Sequence, residues 1–146
     1  CYIAALDEFD VCPIIQAIWQ ANKNCYLPLI CPDKTLQFAL YHENTRLKPN
    51  QYGILEPQSD SFMEANKLDL VLVPLIAFDS YGNRLGTGGG FYDRTFAFKK
   101  TSAKPILTGV GFNLQAVDKI PTEEFDIPVQ SILNETDLIE VKEFNR

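Results

Sequence analysis

A three-layer α/β/α sandwich with a largely parallel, Rossmann-like sheet is the fold that three features of this 146-residue chain predict. Short apolar runs alternate with segments of helical character. Two of the runs, residues 68–73 and 105–112, are apolar almost throughout, as in strands buried on both faces of a parallel sheet. The first run continues to Phe78 and meets a turn, a glycine-dense loop and a further helical segment. The crossovers between parallel strands should be right-handed.

Each element has its own warrant. Residues 2–6 read as a strand. Asp10 suits a helix N-cap and Pro13 a first helical turn; Ile14, Ile15, Ile18 and Trp19 then share one helix face that ends near Asn22. Cys25–Ile30 and Leu36–Tyr41 read as strands. Residues 43–60 are rich in Pro, Asn, Gln and Gly and predict an extended connection. Residues 62–66 predict a short helix, 68–73 the central strand, 91–100 a helix, 105–112 a second buried strand and 132–141 a final edge element. Ligands of such sheets bind beyond the carboxyl ends of the strands. Residues 84–93 and 111–126 should therefore meet near one rim.

Composition bounds the function. Hydrophobic content of 46% and charged content of 22% describe an ordinary globular chain, read as a single domain over residues 1–146. A net charge of −6 argues against general binding of nucleic acid or anionic membrane, which needs clustered cations. It leaves room for a single nucleotide, for which Arg84, Arg94, Lys99 and Lys100 are candidate cations. Cys1, Cys12, Cys25 and Cys31 show no CxxC spacing, and His42 is the one histidine. Free thiols in a reducing cytoplasm fit this pattern better than a zinc site, and His42 reads as a surface residue. No apolar run approaches the roughly 20 residues that span a bilayer, and no signal peptide is visible. The chain opens on Cys1 with no initiator methionine, in what reads as a strand already in progress, so a preceding segment is expected.

The run from Arg84 to Arg94 carries the chemistry. Gly86, Gly88, Gly89 and Gly90 accept conformations closed to other residues, so successive N–H groups can converge on an anion. The start of the next helix should add a favourable dipole. Arg84 offers a fork for phosphate and Asp93 a hard oxygen ligand. The run lacks the Gly-Lys-Ser/Thr of a Walker loop and is no clean dinucleotide fingerprint. A ligand-free turn is the competing reading, although such a turn needs fewer glycines.

Asp69-Leu-Val-Leu-Val-Pro-Leu-Ile-Ala-Phe-Asp79 followed by Gly82-Asn-Arg-Leu-Gly-Thr-Gly-Gly-Gly-Phe-Tyr-Asp93 resembles the signature of the 5-formyltetrahydrofolate cyclo-ligase family, also called methenyltetrahydrofolate synthetases. Leu6-Asp-Glu-Phe-Asp10, Gly53-Ile-Leu-Glu-Pro57, and the stretch from Gln115 through Pro121-Thr-Glu-Glu-Phe-Asp126-Ile-Pro agree in order and spacing. The resemblance runs from the first residue to about residue 135. It implies ATP- and magnesium-dependent cyclisation of 5-formyltetrahydrofolate to 5,10-methenyltetrahydrofolate, with release of ADP and phosphate. It implies ATP contacts by Arg84, Leu85, Gly86, Thr87, Gly88, Gly89, Gly90, Phe91 and Tyr92, with Arg84 also stabilising charge in catalysis. Substrate contacts would come from Ile3, Glu8, Thr87, Gly88, Gly89, Gly90 and Phe91, and Mg²⁺ would sit on Asp93 and Asp126. Tyr52 and the 53–57 turn would add to the folate wall. A monomeric cytoplasmic enzyme is expected, with reduced folate and ATP as its partners.

The bland alternatives are a salt bridge for Arg84, core packing for Ile3 and Phe91, a helix cap for Asp93, a turn for Asp126 and a solvated acid for Glu8. Thr87 and Gly89 depart from the family, where larger or basic residues occur. The resemblance also implies a basic helix before Cys1 that reaches the ATP phosphates; a molecule beginning at Cys1 would bind ATP weakly and be inactive. Two competing functions are a non-catalytic folate- or nucleotide-binding homologue and a related α/β enzyme acting on a sugar phosphate or an acyl carrier. The pieces around Glu8 and from Pro121 to Asp126 argue against the last.

Overall fold

Linker length decides which strands pair antiparallel and which pair parallel. The computed structural model describes residues 1–141. The chain opens on an irregular segment, then forms α1 (Cys12–Gln20), β1 (Cys25–Ile30) and β2 (Leu36–Tyr41). Residues 31–35, between β1 and β2, are too few for the dozen or so that a parallel crossover needs. The two strands therefore pair antiparallel, from Cys25 opposite Tyr41 to Ile30 opposite Leu36. A hairpin of β3 (Leu47–Pro49) and β4 (Leu55–Pro57) follows, then β5 (Phe62–Met63), which adds antiparallel to β2.

The remaining elements are β6 (Leu70–Pro74), β7 (Ala77–Phe78), β8 (Arg84–Leu85), α2 (Phe91–Thr95), β9 (Ile106–Val110), β10 (Ser131–Leu133) and β11 (Leu138–Glu140). Long connections, 75–105 and 111–130, permit parallel pairing of β6 with β9 and of β9 with β10. The second sheet runs β11-β10-β9-β6, with β11 antiparallel at its edge. The fold is thus mixed α/β, as expected. Among the described residues the parallel ladders join β6, β9 and β10, and an isolated parallel bridge joins Phe78 to Ala116. The expected single, largely parallel sheet is therefore corrected to several sheets of mixed parallel and antiparallel pairing.

Four local expectations change with it. Residues 2–6 form no strand. The Cys1 backbone nitrogen donates to the Tyr26 carbonyl (3.1 Å) and the Tyr2 phenol donates to the Phe9 carbonyl (2.7 Å), without a ladder. Tyr2 is nevertheless buried, so the apolar pattern there reported burial rather than pairing. The 62–66 helix is β5 followed by a single 3-10 turn, Ala65–Lys67, because the open edge of β2 takes Phe62 and Met63. The 43–60 connection contains the β3–β4 hairpin; Asn50 Oδ1 accepts from the Tyr52 and Ile54 N–H groups and closes its turn. The 91–100 helix is α2 followed by a separate 3-10 turn, Ala97–Lys100. The Thr95 hydroxyl donates back to the Phe91 carbonyl (2.6 Å), a contact that weakens and bends a helix end.

Helix α1 matches its reading more closely. Pro13 lies in its first turn and Ile15 is fully buried, but the N-cap is Val11 rather than the expected Asp10, which stands one residue earlier and accepts at Oδ1 from the Cys12 N–H (2.9 Å). One core cluster holds Phe38, Phe96, Leu107, Ile127, Val129 and Ile132. A second gathers Tyr2, Val11, Ile15, Leu27, Leu72 and Val110. Val71, Leu72 and Val73 are all buried, as a strand covered on both faces requires. Among the described residues no helix is long and apolar enough to cross a membrane.

Candidate functional site

Strand β6 ends at Pro74, on the carboxyl rim of the parallel strands, and hands the chain to the β7–β8 hairpin. Asp79 shapes that hairpin. Its residue is 1% exposed, and its two carboxylate oxygens accept from the N–H groups of Tyr81, Asn83 and Ile120 and from the Asn83 side-chain amide, each at 3.0 Å. Burial acts to raise the pKa of this carboxyl. The hydrogen bonds from Ile120, Asn83 and Tyr81 outweigh burial and hold it below the ordinary aspartate value. The same contacts pull the 116–128 segment beside the hairpin, aided by the Val117 N–H to Phe78 carbonyl bond (2.8 Å).

The glycine loop leaves β8 and reaches α2. Gly88 and Gly90 have φ of +93° and +66°, in the left-handed region that glycine occupies without penalty. None of the backbone N–H groups from Gly86 to Asp93 donates to a protein acceptor among the described residues. A consecutive row of unpaired donors suits an anion with several oxygens. The expected helix dipole contributes little, because α2 is only five residues long.

These residues border a cavity of about 280 Å³. Arg84 through Asp93 line it, joined by Glu8 from the N-terminal segment and by Pro121, Phe125 and Asp126 from the later segment. The rim expectation therefore brings Arg84, Leu85, Gly86, Thr87, Gly88, Gly89, Gly90, Phe91, Tyr92, Asp93, Glu8 and Asp126 around one space. Ile3 does not line it and packs instead on the cluster around Tyr2 and Val11. Tyr52 is 60% exposed at the β3–β4 tip, away from the cavity lining, and His42 is exposed in a surface turn.

Arg84 is held more firmly than a free phosphate fork. Its side chain is 7% exposed. Nη1 donates to the Ile127 carbonyl (2.6 Å) and Nη2 to Asp93 Oδ1 (3.0 Å), while the same Asp93 oxygen accepts from the Ile127 N–H (2.9 Å). This bracket joins the start of α2 to residues 126–127. A buried guanidinium needs such partners to offset lost hydration. The other candidate cations lie off the cavity. Lys99 donates to the Ala103 carbonyl and Lys100 to the Glu124 carbonyl. Arg94, itself outside the lining, donates to the backbone carbonyls of Lys34, Gly89 and Gly90.

Tyr92 is half-buried and stacks on Phe96 at 6.4 Å between ring centroids. Burial, and then the Glu8 carboxylate, pushes its phenol well above the ordinary tyrosine range, with Arg84 opposing. The hydroxyl stays protonated at neutral pH and has no hydrogen-bond partner among the described residues. The Phe91 ring lies against Gly89, where a Cβ would collide with it. Glu8 Oε2 accepts from the Ala5 N–H (3.0 Å), which orients the carboxylate in its turn.

Asp126 Oδ2 accepts from the Glu123 N–H (2.8 Å), and Asp93 uses only Oδ1 toward the protein. Each aspartate thus keeps one oxygen free of protein donors on the same cavity. Among the described residues no group of three or more His, Cys, Asp or Glu side chains could hold a metal. Two carboxylates fit Mg²⁺, which fills the rest of its octahedron with phosphate oxygens and water. Pro74, Leu75 and Ile76 line the cavity without having been singled out as site residues, and Pro121 and Phe125 line it from the 111–126 stretch expected at the rim. The first three stand at the carboxyl end of the central strand, a position that the rim rule singles out.

Fold and site together define an α/β protein with an anion-receptive glycine loop at the carboxyl rim of its parallel strands. The chain belongs to the 5-formyltetrahydrofolate cyclo-ligase family, whose model matches residues 1–135. It is 41% identical to the 5-formyltetrahydrofolate cyclo-ligase of Haemophilus influenzae over 137 residues, covering 90% of this chain and 72% of the relative. It is 40% identical to that of Escherichia coli K12 over 131 residues, covering 86% and 71%. The NMR structure of Aquifex aeolicus 5,10-methenyltetrahydrofolate synthetase superposes with a TM-score of 0.76 at 25% identity, covering 99% of this chain and 72% of that one. The resemblance read from the central signature is borne out.

Proposed function

We infer that this protein is an ATP-dependent ligase that closes 5-formyltetrahydrofolate to 5,10-methenyltetrahydrofolate, releasing ADP and phosphate. Family membership supports the reaction. The single observation that carries the assignment of the site is the unpaired N–H row from Gly86 to Asp93, on the cavity that also holds Glu8 and Arg84.

The chemistry sets the tasks. A formamide oxygen is a poor leaving group. Transfer of the γ-phosphoryl group to it breaks the bond to ADP and leaves an iminium-like carbon bearing phosphate. N10 of the folate attacks that carbon to close the ring and gives up its proton to solvent, and phosphate departs with the formyl oxygen. Positioning and charge stabilisation are what a protein supplies to such transfers. The Gly86–Tyr92 backbone holds the phosphates, and Arg84 stabilises charge from the edge of the loop. Glu8 accepts hydrogen bonds from the reduced pterin, whose N–H and amino groups are donors. Phe91, with Thr87 to Gly90, borders the folate. Asp93 and Asp126 would hold Mg²⁺, which supplies charge neutralisation on the phosphate oxygens when bound.

The reading includes a single-domain, monomeric, cytoplasmic enzyme in a three-layer arrangement, with Ile3 acting on the substrate only through the packing of the N-terminal segment. Its test is the appearance of methenyltetrahydrofolate by near-ultraviolet absorbance, in the full chain with ATP, Mg²⁺ and 5-formyltetrahydrofolate. Product should form only when all three are present. Asp93→Asn keeps an acceptor for Arg84 and Ile127 but removes the charge, and kcat/KM should fall at least about 100-fold. Folate binding without product would contradict the enzyme and favour a non-catalytic binding homologue.

A further inference from the structure

Arg94 stands outside the cavity yet makes more contacts to the glycine loop than any other cation. Its Nη1 donates to the carbonyls of Lys34 (2.9 Å), Gly89 (3.4 Å) and Gly90 (3.4 Å), and its own N–H donates to the Gly90 carbonyl (3.0 Å). A Cβ built on Gly90 would lie 3.5 Å from the guanidinium, so the group rests directly against the loop.

In a trans peptide the C=O and N–H point to opposite sides. The one cis bond among the described residues is Lys104–Pro105, so the loop peptides are trans. Carbonyls of Gly89 and Gly90 drawn toward Arg94 leave the N–H groups of Gly90 and Phe91 aimed the other way. Gly90 and Phe91 line the cavity and Arg94 does not. The N–H groups are the anion receptors, and the guanidinium fixes their direction from behind.

The far end of the clamp is also rigid. Lys34 has φ of +62° in the β1–β2 turn, a conformation rare for a residue with a side chain. Asp33 Oδ1 fixes that turn by accepting from the Thr35 N–H (3.1 Å) and hydroxyl (2.6 Å). A second latch runs in parallel: the Leu36 N–H donates to Thr95 Oγ1 (2.8 Å), and the Thr95 hydroxyl donates to the Phe91 carbonyl. The antiparallel sheet is thereby tied to the later half of the phosphate-facing segment, at Gly89 to Phe91.

We propose that Arg94 is a positioning residue for ATP, holding the glycine-loop carbonyls against the β1–β2 turn so that the N–H groups stay aligned on the phosphates. This rests on the ATP reading above and adds a residue that touches neither ATP nor folate. Arg94 is exposed, so its replacement should leave the fold intact.

The test compares wild type, Arg94→Ala and Arg94→Lys in the full chain, by calorimetric binding of Mg·ATP, by KM for each substrate with kcat, and by thermal midpoint. Arg94→Ala should weaken ATP binding and raise KM for ATP by about tenfold, the equivalent of one charge-assisted hydrogen bond. KM for the folate and the thermal midpoint should stay near wild type. Arg94→Lys should recover part of the loss, since one ammonium can hold a carbonyl but cannot bridge several. ATP affinity within about twofold of wild type in Arg94→Ala overturns the proposal. An equal loss for both substrates with a lowered midpoint overturns it as well, since that marks a structural role. A wild type that binds no ATP overturns the parent reading, and this one with it.

Discussion

Arg84→Ala should lower kcat/KM about 1000-fold and destabilise the fold by about 3 kcal/mol. Two losses add in one substitution. The first is the guanidinium at the edge of the glycine loop, where it can meet charge developing on the transferred phosphoryl group. The second is the bracket to Asp93 Oδ1 and the Ile127 carbonyl, which leaves Asp93 without its counter-charge in a largely covered position. Arg84→Lys restores the charge but cannot span both partners, so it should recover little of either loss. Rates measured across substrate concentration, which give kcat/KM, and urea denaturation separate the two effects. Stability unchanged in Arg84→Ala would show that the bracket is not what orders residues 126–127.

Asp79→Asn should cost about 3 kcal/mol with no contact to the cavity lost. Both oxygens of Asp79 accept from donors, and the amide nitrogen of asparagine would face one of those pairs, donor against donor. The effect also carries a pH signature. The folded carboxyl titrates below its ordinary value, near 3.9 in unfolded chains. Its stabilisation is therefore complete above about pH 4 and is lost as pH falls through the lower, folded value. Urea denaturation at pH 7 should show the full gap between wild type and Asp79→Asn, and the gap should narrow at pH 3. A gap unchanged by pH would mean that the charge of Asp79 contributes nothing.

Where local pattern and tertiary demand coincide, the sequence is readable. Cys25–Ile30 and Leu36–Tyr41 are strands at their expected bounds, because their apolar residues and the Asp33-Lys34-Thr35 turn point to one hairpin. The glycine loop is equally legible, since four glycines in five positions have no cheaper explanation. Pairing partners are not. Residues 62–66 look helical in isolation, but the free edge of β2 takes Phe62 and Met63. Residues 2–6 look like a strand, but among the described residues the one backbone bond to β1 comes from the neighbouring Cys1, to the Tyr26 carbonyl. The same limit applies at the site. Arg84 announces itself as a phosphate ligand, whereas its bond to Ile127, 43 residues away, is set by how the later segment returns to the hairpin. Arg94 reads as one of four candidate cations for a nucleotide, and its bond to the Lys34 carbonyl, 60 residues away, shows only in the fold.

The central claim is that the glycine loop receives ATP through its backbone N–H groups. The most direct measurement is an amide ¹⁵N–¹H spectrum of the full chain, titrated with Mg·ATP. The signals of Gly86 to Tyr92 should move progressively, while those of the β3–β4 hairpin tip around Tyr52 stay in place. Saturable ATP binding that leaves the Gly86–Tyr92 amides unmoved would contradict the assignment and place the nucleotide elsewhere on the molecule.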